Sequence, residues 1–203
     1  MQYVISGLAT GSIYALVALG LALIYRSTRI LNFAHGDMAT AGTFVAFSLL
    51  GMNLAPMISF PLAILSGSAL AMLFYFAILV PAQRRNATPL GQIILTLGLG
   101  LILQGLISYL WGTDTKTLTF PLSDTKLWRF QGVVISELGL GTFVIGLLGS
   151  GLLYLLVQKT RLGIAMRATS ENLPAAQTLG IPTRRILSLS WGLAAGLSVL
   201  AGV

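Results

Sequence analysis

Residues 4–25 read VISGLATGSIYALVALGLALIY and contain no charged side chain. As an α-helix this stretch is roughly 33 Å long, at about 1.5 Å per residue, which is enough to cross a hydrocarbon core of about 30 Å. The start of the chain lacks the basic residues of a signal peptide, and the apolar run is longer than the central region of one. We therefore predict an uncleaved transmembrane helix.

Five more uncharged runs follow, at residues 38–54, 57–80, 90–111, 138–157 and 186–203. The first of these has only 17 residues, which is the short limit for a span. The last reaches the final residue without a flanking polar residue, and we expect it to be a sixth helix that is cut short. The predicted fold class is an all-α membrane protein, a polytopic helical bundle with five complete transmembrane helices. A single domain covers the whole chain, residues 1–203.

The composition excludes the main soluble classes. Hydrophobic residues make up 56% of the 203 and charged residues only 8%, whereas a soluble domain has about 25% charged residues. Disordered chains need more charge, and a disulfide scaffold needs cysteine, of which there is none. The net charge of +7 comes from short basic clusters between apolar runs, and this pattern does not indicate a nucleic-acid surface.

The distribution of lysine and arginine predicts the orientation. Alternate loops contain nine basic residues against three, and the three are Lys116, Lys126 and Arg129. The positive-inside rule therefore places the N-terminus outside and the loops with nine basic residues in the cytoplasm.

Glycine pairs at a spacing of four predict close helix packing. Gly7 and Gly11 form one pair, and Gly192 and Gly196 form another. Small residues at this spacing let helix backbones approach in lipid, although such pairs are common in any polytopic protein.

The polar segment NFAHGD between the first two spans contains the candidate pathway residues, which are Asn32, Phe33, His35, Gly36 and Asp37. Ionisable groups at membrane depth usually mark a pathway, and a broken helix there offers free backbone groups to a solute. The alternative is an ordinary cytoplasmic turn in which Asn32 and Asp37 cap helix ends. From the residues alone both interpretations stay open. We predict no metal site, because the lone histidine has no further ligands.

The longest cytoplasmic loop, residues 159–185, predicts a short helix over residues 171–179. Glu171 would lie in its first turn, where the helix dipole favours negative charge, and Gly180 would end it. The candidate N-caps are Thr169 and Ser170. One side of the helix would be small and apolar, formed by Ala175, Ala176 and Leu179. Such a helix can dock in a groove of another protein, or it can be a solvated connector.

No enzymatic constellation is present in the sequence. The chain has no Gly-rich phosphate loop, its few carboxylates are in separate loops, and its histidine has no nucleophile nearby. We predict a protein that is not an enzyme and needs no cofactor.

Two stretches carry a family resemblance. GLATGSIYAL at residues 7–16 and LNFAHGD at residues 31–37 closely resemble the start of permeases from ABC importers of branched-chain amino acids, the LivH-type subunit. Residues 163–203 are similar to the coupling loop and following span of this family. The resemblance covers essentially the whole chain.

The resemblance implies a multi-pass permease of the bacterial inner membrane that forms the solute pathway for branched-chain or related amino acids. Its implied partners are two cytoplasmic ABC ATPase subunits, a second homologous permease, an extracytoplasmic solute-binding protein and the lipid bilayer, with no nucleic acid. ATP hydrolysis would take place in the ATPase subunits. The resemblance also favours a functional role for residues 32–37.

The coupling loops of importers carry a Glu-Ala-Ala pattern followed by Gly after three residues. Ala175, Ala176 and Gly180 match this pattern, whereas Pro174 stands where the pattern has its glutamate. Glu171, one turn earlier, is the candidate replacement, and these residues would contact the ATPase.

Other function classes remain as alternatives. A secondary transporter or channel acting without ATP would predict paired ionisable residues within spans, and the five complete spans contain none. A membrane scaffold without transport would leave the polar break and the short helix without a role. A permease of the same family for urea or small amides is a further alternative, because no residue names the solute.

Overall fold

The computed structural model describes residues 2–118, 127–130 and 133–203. In chain order its helices are α1 (Gln2–Thr28), α2 (His35–Gly51), α3 (Pro56–Phe74), a π-helical turn (Tyr75–Leu79), α4 (Val80–Arg84), α5 (Pro89–Trp111), α6 (Glu137–Lys159), α7 (Arg161–Glu171), α8 (Leu173–Thr178) and α9 (Thr183–Gly202). Strands β1 (Leu127–Phe130) and β2 (Val133–Ser136) form an antiparallel hairpin that the sequence analysis did not predict.

Five helical segments are long and apolar enough to cross a bilayer: α1, the continuous helix Pro56–Arg84, α5, α6 and α9. This confirms the predicted all-α, polytopic membrane class. Helix α2 has 17 residues and begins at His35, three residues earlier than predicted. Its status as a complete span stays a prediction, as does the orientation of the N-terminus. Lys126 is one of the three basic residues of the predicted external loops, and it is not among the residues that the structure describes.

Helix α9 is the centre of the bundle and packs against α1, α2 and α3. Trp191, Ala194, Ala195 and Val199 of α9 are fully buried. Val199 lies in a groove between α2 and α3. The groove is open because Gly42 of α2 and Gly67 of α3 have no side chains there. A Cβ on Gly67 would lie 2.5 Å from Val199 Cγ2, so a larger residue there would push α9 away.

The two predicted glycine pairs have different outcomes. Gly192 and Gly196 pack against α3, where added Cβ atoms would meet Met72 Cε at 2.6 Å and Ser68 Oγ at 2.7 Å. The packing prediction is therefore confirmed for the pair in α9. Gly7 and Gly11 of α1 have no described atom within 4 Å of the position of an added Cβ, so they make no close helix contact in this chain.

The helix from α3 to α4 contains a widened turn. Pro81 has no N–H to donate, and the N–H of Val80 bonds the carbonyl of Tyr75, five residues back. Tyr75 and Leu79 in this turn are buried. The Tyr75 ring lies 6.2 Å from the ring of Trp191, centroid to centroid, so the widened turn packs on α9.

Helix α5 lies at the edge of the bundle, against α2 and the π-helical turn. Only Thr96, Gly100 and Leu103 of its 23 residues are buried. These three positions form one stripe, because residues three and four apart lie on the same helix face. The rest of α5 is partly or fully exposed in this chain, and Ile102 and Tyr109 are exposed on the side away from α2.

Candidate functional site

The backbone between α1 and α2 leaves the helical conformation inside the bundle. Thr96 of α5 is fully buried; its hydroxyl accepts a hydrogen bond from the Phe33 N–H at 3.2 Å and lies 3.4 Å from the Leu31 carbonyl. Thr96 lies seven residues from the start of α5, roughly 10 Å along its axis at about 1.5 Å per residue. The break is thus docked against a membrane-spanning helix and does not lie on the surface.

Two of the five candidate pathway residues hold the break together. Asn32 is 2% exposed, and its Oδ1 accepts a hydrogen bond from the Ala34 N–H at 3.1 Å. His35 is 4% exposed, and its Nε2 lies 3.2 Å from the Val17 carbonyl oxygen of α1. The ring fits because residue 20 is glycine: a Cβ there would lie 2.9 Å from His35 Nε2. Both side chains therefore stabilise the junction of α1, α2 and α9.

The other three candidates are more exposed in this chain, and Asp37 among them contacts α5. Phe33 is 55% exposed, Gly36 is exposed and Asp37 is half-buried. The predicted group of five is thus divided into a buried pair and an outward-facing trio. Among the described residues no group of three His, Cys, Asp or Glu side chains could hold a metal ion.

Asp37 lies level with the middle of α5. Its Oδ1 accepts a hydrogen bond from Gln104 Nε2 at 2.9 Å, and its Oδ2 would be 2.6 Å from a Cβ on Gly100. Gly100 is the middle residue of the 23-residue α5, roughly 16 Å from either end at about 1.5 Å per residue. The carboxylate is therefore near the centre of the predicted span, not in a cytoplasmic loop.

The capping interpretation of this segment is wrong for Asn32. The N-cap of α2 is Ala34, and no side chain caps the helix. Asn32 closes the turn before the helix, while Asp37 is in the first turn of α2 and bonds a side chain of α5. Sequence position alone could not show that the polar segment folds back to the depth of Gly100.

Sequence reasoning missed the α5 residues that complete the site: Thr96, Gly100 and Gln104. Gln104 carried a signal, because it is one of two amides, with Gln92, in the uncharged run 90–111. Thr96 and Gly100 carried none, since threonine and glycine are common in membrane helices. Their role depends on contact with a segment more than sixty residues earlier in the chain.

The coupling loop folds as two helices where one was predicted. Helix α7 continues to Glu171, so Glu171 ends a helix and does not lie in the first turn of the next. Helix α8 begins after Asn172, whose Oδ1 accepts a hydrogen bond from the Ala175 N–H at 3.0 Å. The prediction of Thr169 or Ser170 as the N-cap is therefore wrong.

The predicted outward face of this helix is also wrong in one position. Ala176 is 2% exposed and is buried within the chain, whereas Ala175 is exposed and Leu179 is 80% exposed. Gly180 follows with φ of +79°, a left-handed conformation that favours glycine and ends the helix. The outward edge consists of Ala175, Leu179 and Gly180.

A family model described as branched-chain amino acid transport system / permease component matches residues 3–203. The chain belongs to this family. The match includes the break between α1 and α2, the α5 helix and the α7–α8 loop. No solved structure matches the chain.

Individual members of the family are similar along nearly the whole chain. The probable branched-chain amino acid transport permease protein LivH of Methanocaldococcus jannaschii is 37% identical over 94% of this chain and 61% of its own length. The permease protein BraD of Pseudomonas aeruginosa is 30% identical, and LivH of Escherichia coli K12 is 26% identical, each over 100% of this chain and 69% of its own length. The chain thus spans about two thirds of the length of these relatives.

Proposed function

We propose that the chain is a permease subunit of an ATP-driven importer of branched-chain amino acids in a bacterial inner membrane. The observation that carries this proposal is the Asp37 carboxylate, half-buried beside Gly100 at the middle of α5. Within the described part of the chain Asp37 is in no ion pair. The ion pair found there joins Lys116 and Asp114.

A carboxylate in this place needs polar surroundings. An aspartate at the centre of a membrane helix costs about 2.5–3.5 kcal/mol on the insertion scale, so such groups face a water-filled cavity or protein. Non-helical backbone at this depth follows the same rule. We infer that the face formed by Phe33, Gly36, Asp37 and Gln104 lines the solute pathway, with a second homologous permease across it.

The α7–α8 loop supplies the proposed contact with the ATPase subunits. The distribution of basic residues supports a cytoplasmic position for this loop, where ATP is available. Ala175, Leu179 and Gly180 form its exposed edge, and Glu171 is exposed at the end of α7. Buried Ala176 would act indirectly, by fixing α8 against the bundle.

The proposed solute follows from the names of the relatives, which are permeases for branched-chain amino acids. An extracytoplasmic binding protein would deliver the solute to the outer end of the pathway. The second permease and the ATPase subunits would complete the transporter, so the permease itself needs no catalytic group.

Reconstitution tests the whole proposal. The full-length gene product is co-purified with its ATPase and permease partners, placed in liposomes and supplied with loaded binding protein. We expect uptake of labelled leucine, isoleucine or valine that requires ATP. Uptake that is independent of ATP would favour a channel or secondary transporter, and uptake of urea or small amides alone would overturn the solute assignment.

A substitution at the exposed edge of α8 tests the coupling contact. Leu179→Ala removes a side chain that is 80% exposed and makes little contact within this chain, so the fold should not change. We expect stimulation of ATP hydrolysis by the loaded binding protein to fall severalfold, because apolar contact with the ATPase is lost. Met52→Ala, at a residue 72% exposed after α2, is the matched control and should keep full stimulation. Equal stimulation in both variants would refute the docking role.

A further inference from the structure

The Asp37 carboxylate has acceptor capacity that the described chain does not use. An ionised carboxylate offers about four lone-pair sites, and here Gln104 Nε2 occupies one of them at 2.9 Å. Among the described residues Asp37 makes no ion pair and no hydrogen bond to a backbone N–H of its own helix. The group is therefore held in position without being neutralised.

Its surroundings hold the carboxylate in place. Asp37 is the third residue of α2, and the N-terminal end of a helix carries partial positive charge. The Gln104 amide adds an N–H donor from the neighbouring helix. Gly100 lets the carboxylate lie directly on the α5 backbone, because any Cβ at that position would meet Oδ2 at 2.6 Å.

The rest of the face is apolar beside this single charge. Leu97 and Leu101 lie within two turns of Gln104 on α5 and are 45% and 70% exposed. Phe33, whose backbone N–H bonds Thr96 one turn before Gly100, carries an aromatic ring that is 55% exposed. The open face thus offers one anionic acceptor with aliphatic and aromatic surface around it. That combination matches a small solute with a primary ammonium group and a branched aliphatic side chain.

We propose that Asp37 binds the ammonium group of the solute as it passes the middle of the membrane, and that Gln104 positions the carboxylate for this contact. The inference rests on the permease function proposed above and adds the recognition chemistry of its pathway. The ammonium replaces part of its lost hydration with a charge-assisted hydrogen bond, which is stronger than a neutral one. Leu97, Leu101 and Phe33 contact the side chain of the solute.

The test uses the reconstituted full-length transporter with all its partners. Asp37→Asn keeps the size of the side chain and its acceptor for Gln104 but removes the charge. We expect the initial rate of labelled leucine uptake to fall about tenfold or more, as for loss of a hydrogen bond to a charged group. Asp114→Asn, at a carboxylate that is 88% exposed in the loop after α5, is the matched control and should transport normally.

A second variant separates the charge of Asp37 from its positioning. Gln104→Leu retains the charge and removes only its positioning donor, so uptake should fall less, by a few-fold. If Asp37→Asn does not assemble, this second variant carries the test. Wild-type leucine uptake in the tested variant would overturn the ammonium role while leaving the permease function intact. A wild-type transporter that takes up no branched-chain amino acid would instead refute the proposed function.

Discussion

Helices α9 and α5 are both apolar enough to cross a membrane, yet they have opposite positions in the bundle. Of the most apolar 18-residue stretch of α9, 61% is buried, against 17% of the corresponding stretch of α5. The buried helix is the less hydrophobic of the two. Its buried residues include serines and glycines, such as Ser188, Ser190, Gly192 and Gly196, whereas α5 exposes leucine, isoleucine and tyrosine.

For these two helices, hydropathy therefore gives the wrong order of burial. Lipid is as apolar as leucine, so a leucine-rich face gains nothing by leaving it. Close packing of backbones instead requires small residues, and serine can satisfy its hydroxyl within its own helix, as Ser190 does with the Ile186 carbonyl at 3.0 Å. The central helix is therefore the one rich in small residues.

The largest expected difference between the two helices is at their aromatic residues. Trp191→Ala in α9 removes a fully buried ring whose centroid lies 5.9 Å from that of Phe74, and we expect a loss of about 3–5 kcal/mol in unfolding free energy. Tyr109→Ala in α5 removes a side chain that is 85% exposed and should change stability little. Unfolding of the purified variants in mixed micelles measures both values.

Trp191→Phe is the control for this pair. The indole Nε1 has no hydrogen-bond partner among the described residues, so the smaller ring should cost much less than alanine. Equal losses for Trp191→Ala and Tyr109→Ala would remove the distinction between a central and a peripheral helix.

A smaller difference is expected at glycines. Gly196→Val in α9 would force its side chain against Ser68 and Ile64 of α3, and overpacking of this kind costs about 1–3 kcal/mol. Gly105→Val in α5 has no described atom within 4 Å of its Cβ and should leave stability unchanged. The same unfolding measurement compares them. A comparable loss for Gly105→Val would mean that the open side of α5 is packed in the purified protein.

The smallest effect on stability is expected for two cysteine substitutions. They test whether water reaches the exposed sides of α2 and α5. The chain has no cysteine, so each introduced thiol is unique. Thr40→Cys lies one turn after Asp37 on the exposed side of α2, and Ile102→Cys lies on the side of α5 away from α2. A charged, water-soluble thiol reagent should modify the first quickly and the second hardly at all. Equal reactivity would contradict a hydrated pathway on the Asp37 face.

The sequence predicted most of the fold because charge and hydropathy act locally. The run 90–111 became α5 at Pro89–Trp111, and the run 138–157 became the core of α6 at Glu137–Lys159. The coupling loop was harder, since the N-cap is Asn172 and not Thr169 or Ser170. Several polar residues there could each cap a helix, and only the packing of α7 selected among them.

The candidate site was half predictable. Asn32, Phe33, His35, Gly36 and Asp37 stood out as a polar segment, but their division into buried and outward residues did not. His35 is buried because Gly20, fifteen residues earlier, leaves space for its ring. Gln104 belongs to the site only because α5 lies beside α2. Neither contact follows a local period of the sequence.

The sequence by itself determined that this protein is a multi-pass helical membrane protein, because long uncharged runs can satisfy their backbone groups in lipid only as helices. It also identified the segment 32–37 as unusual. The tertiary structure alone decided that Asp37 lies at the middle of α5, that Ala176 faces inward and that α9 is the central helix. These outcomes depend on close contacts between distant small residues, and such contacts are set by shape complementarity between helices, which composition and spacing do not record.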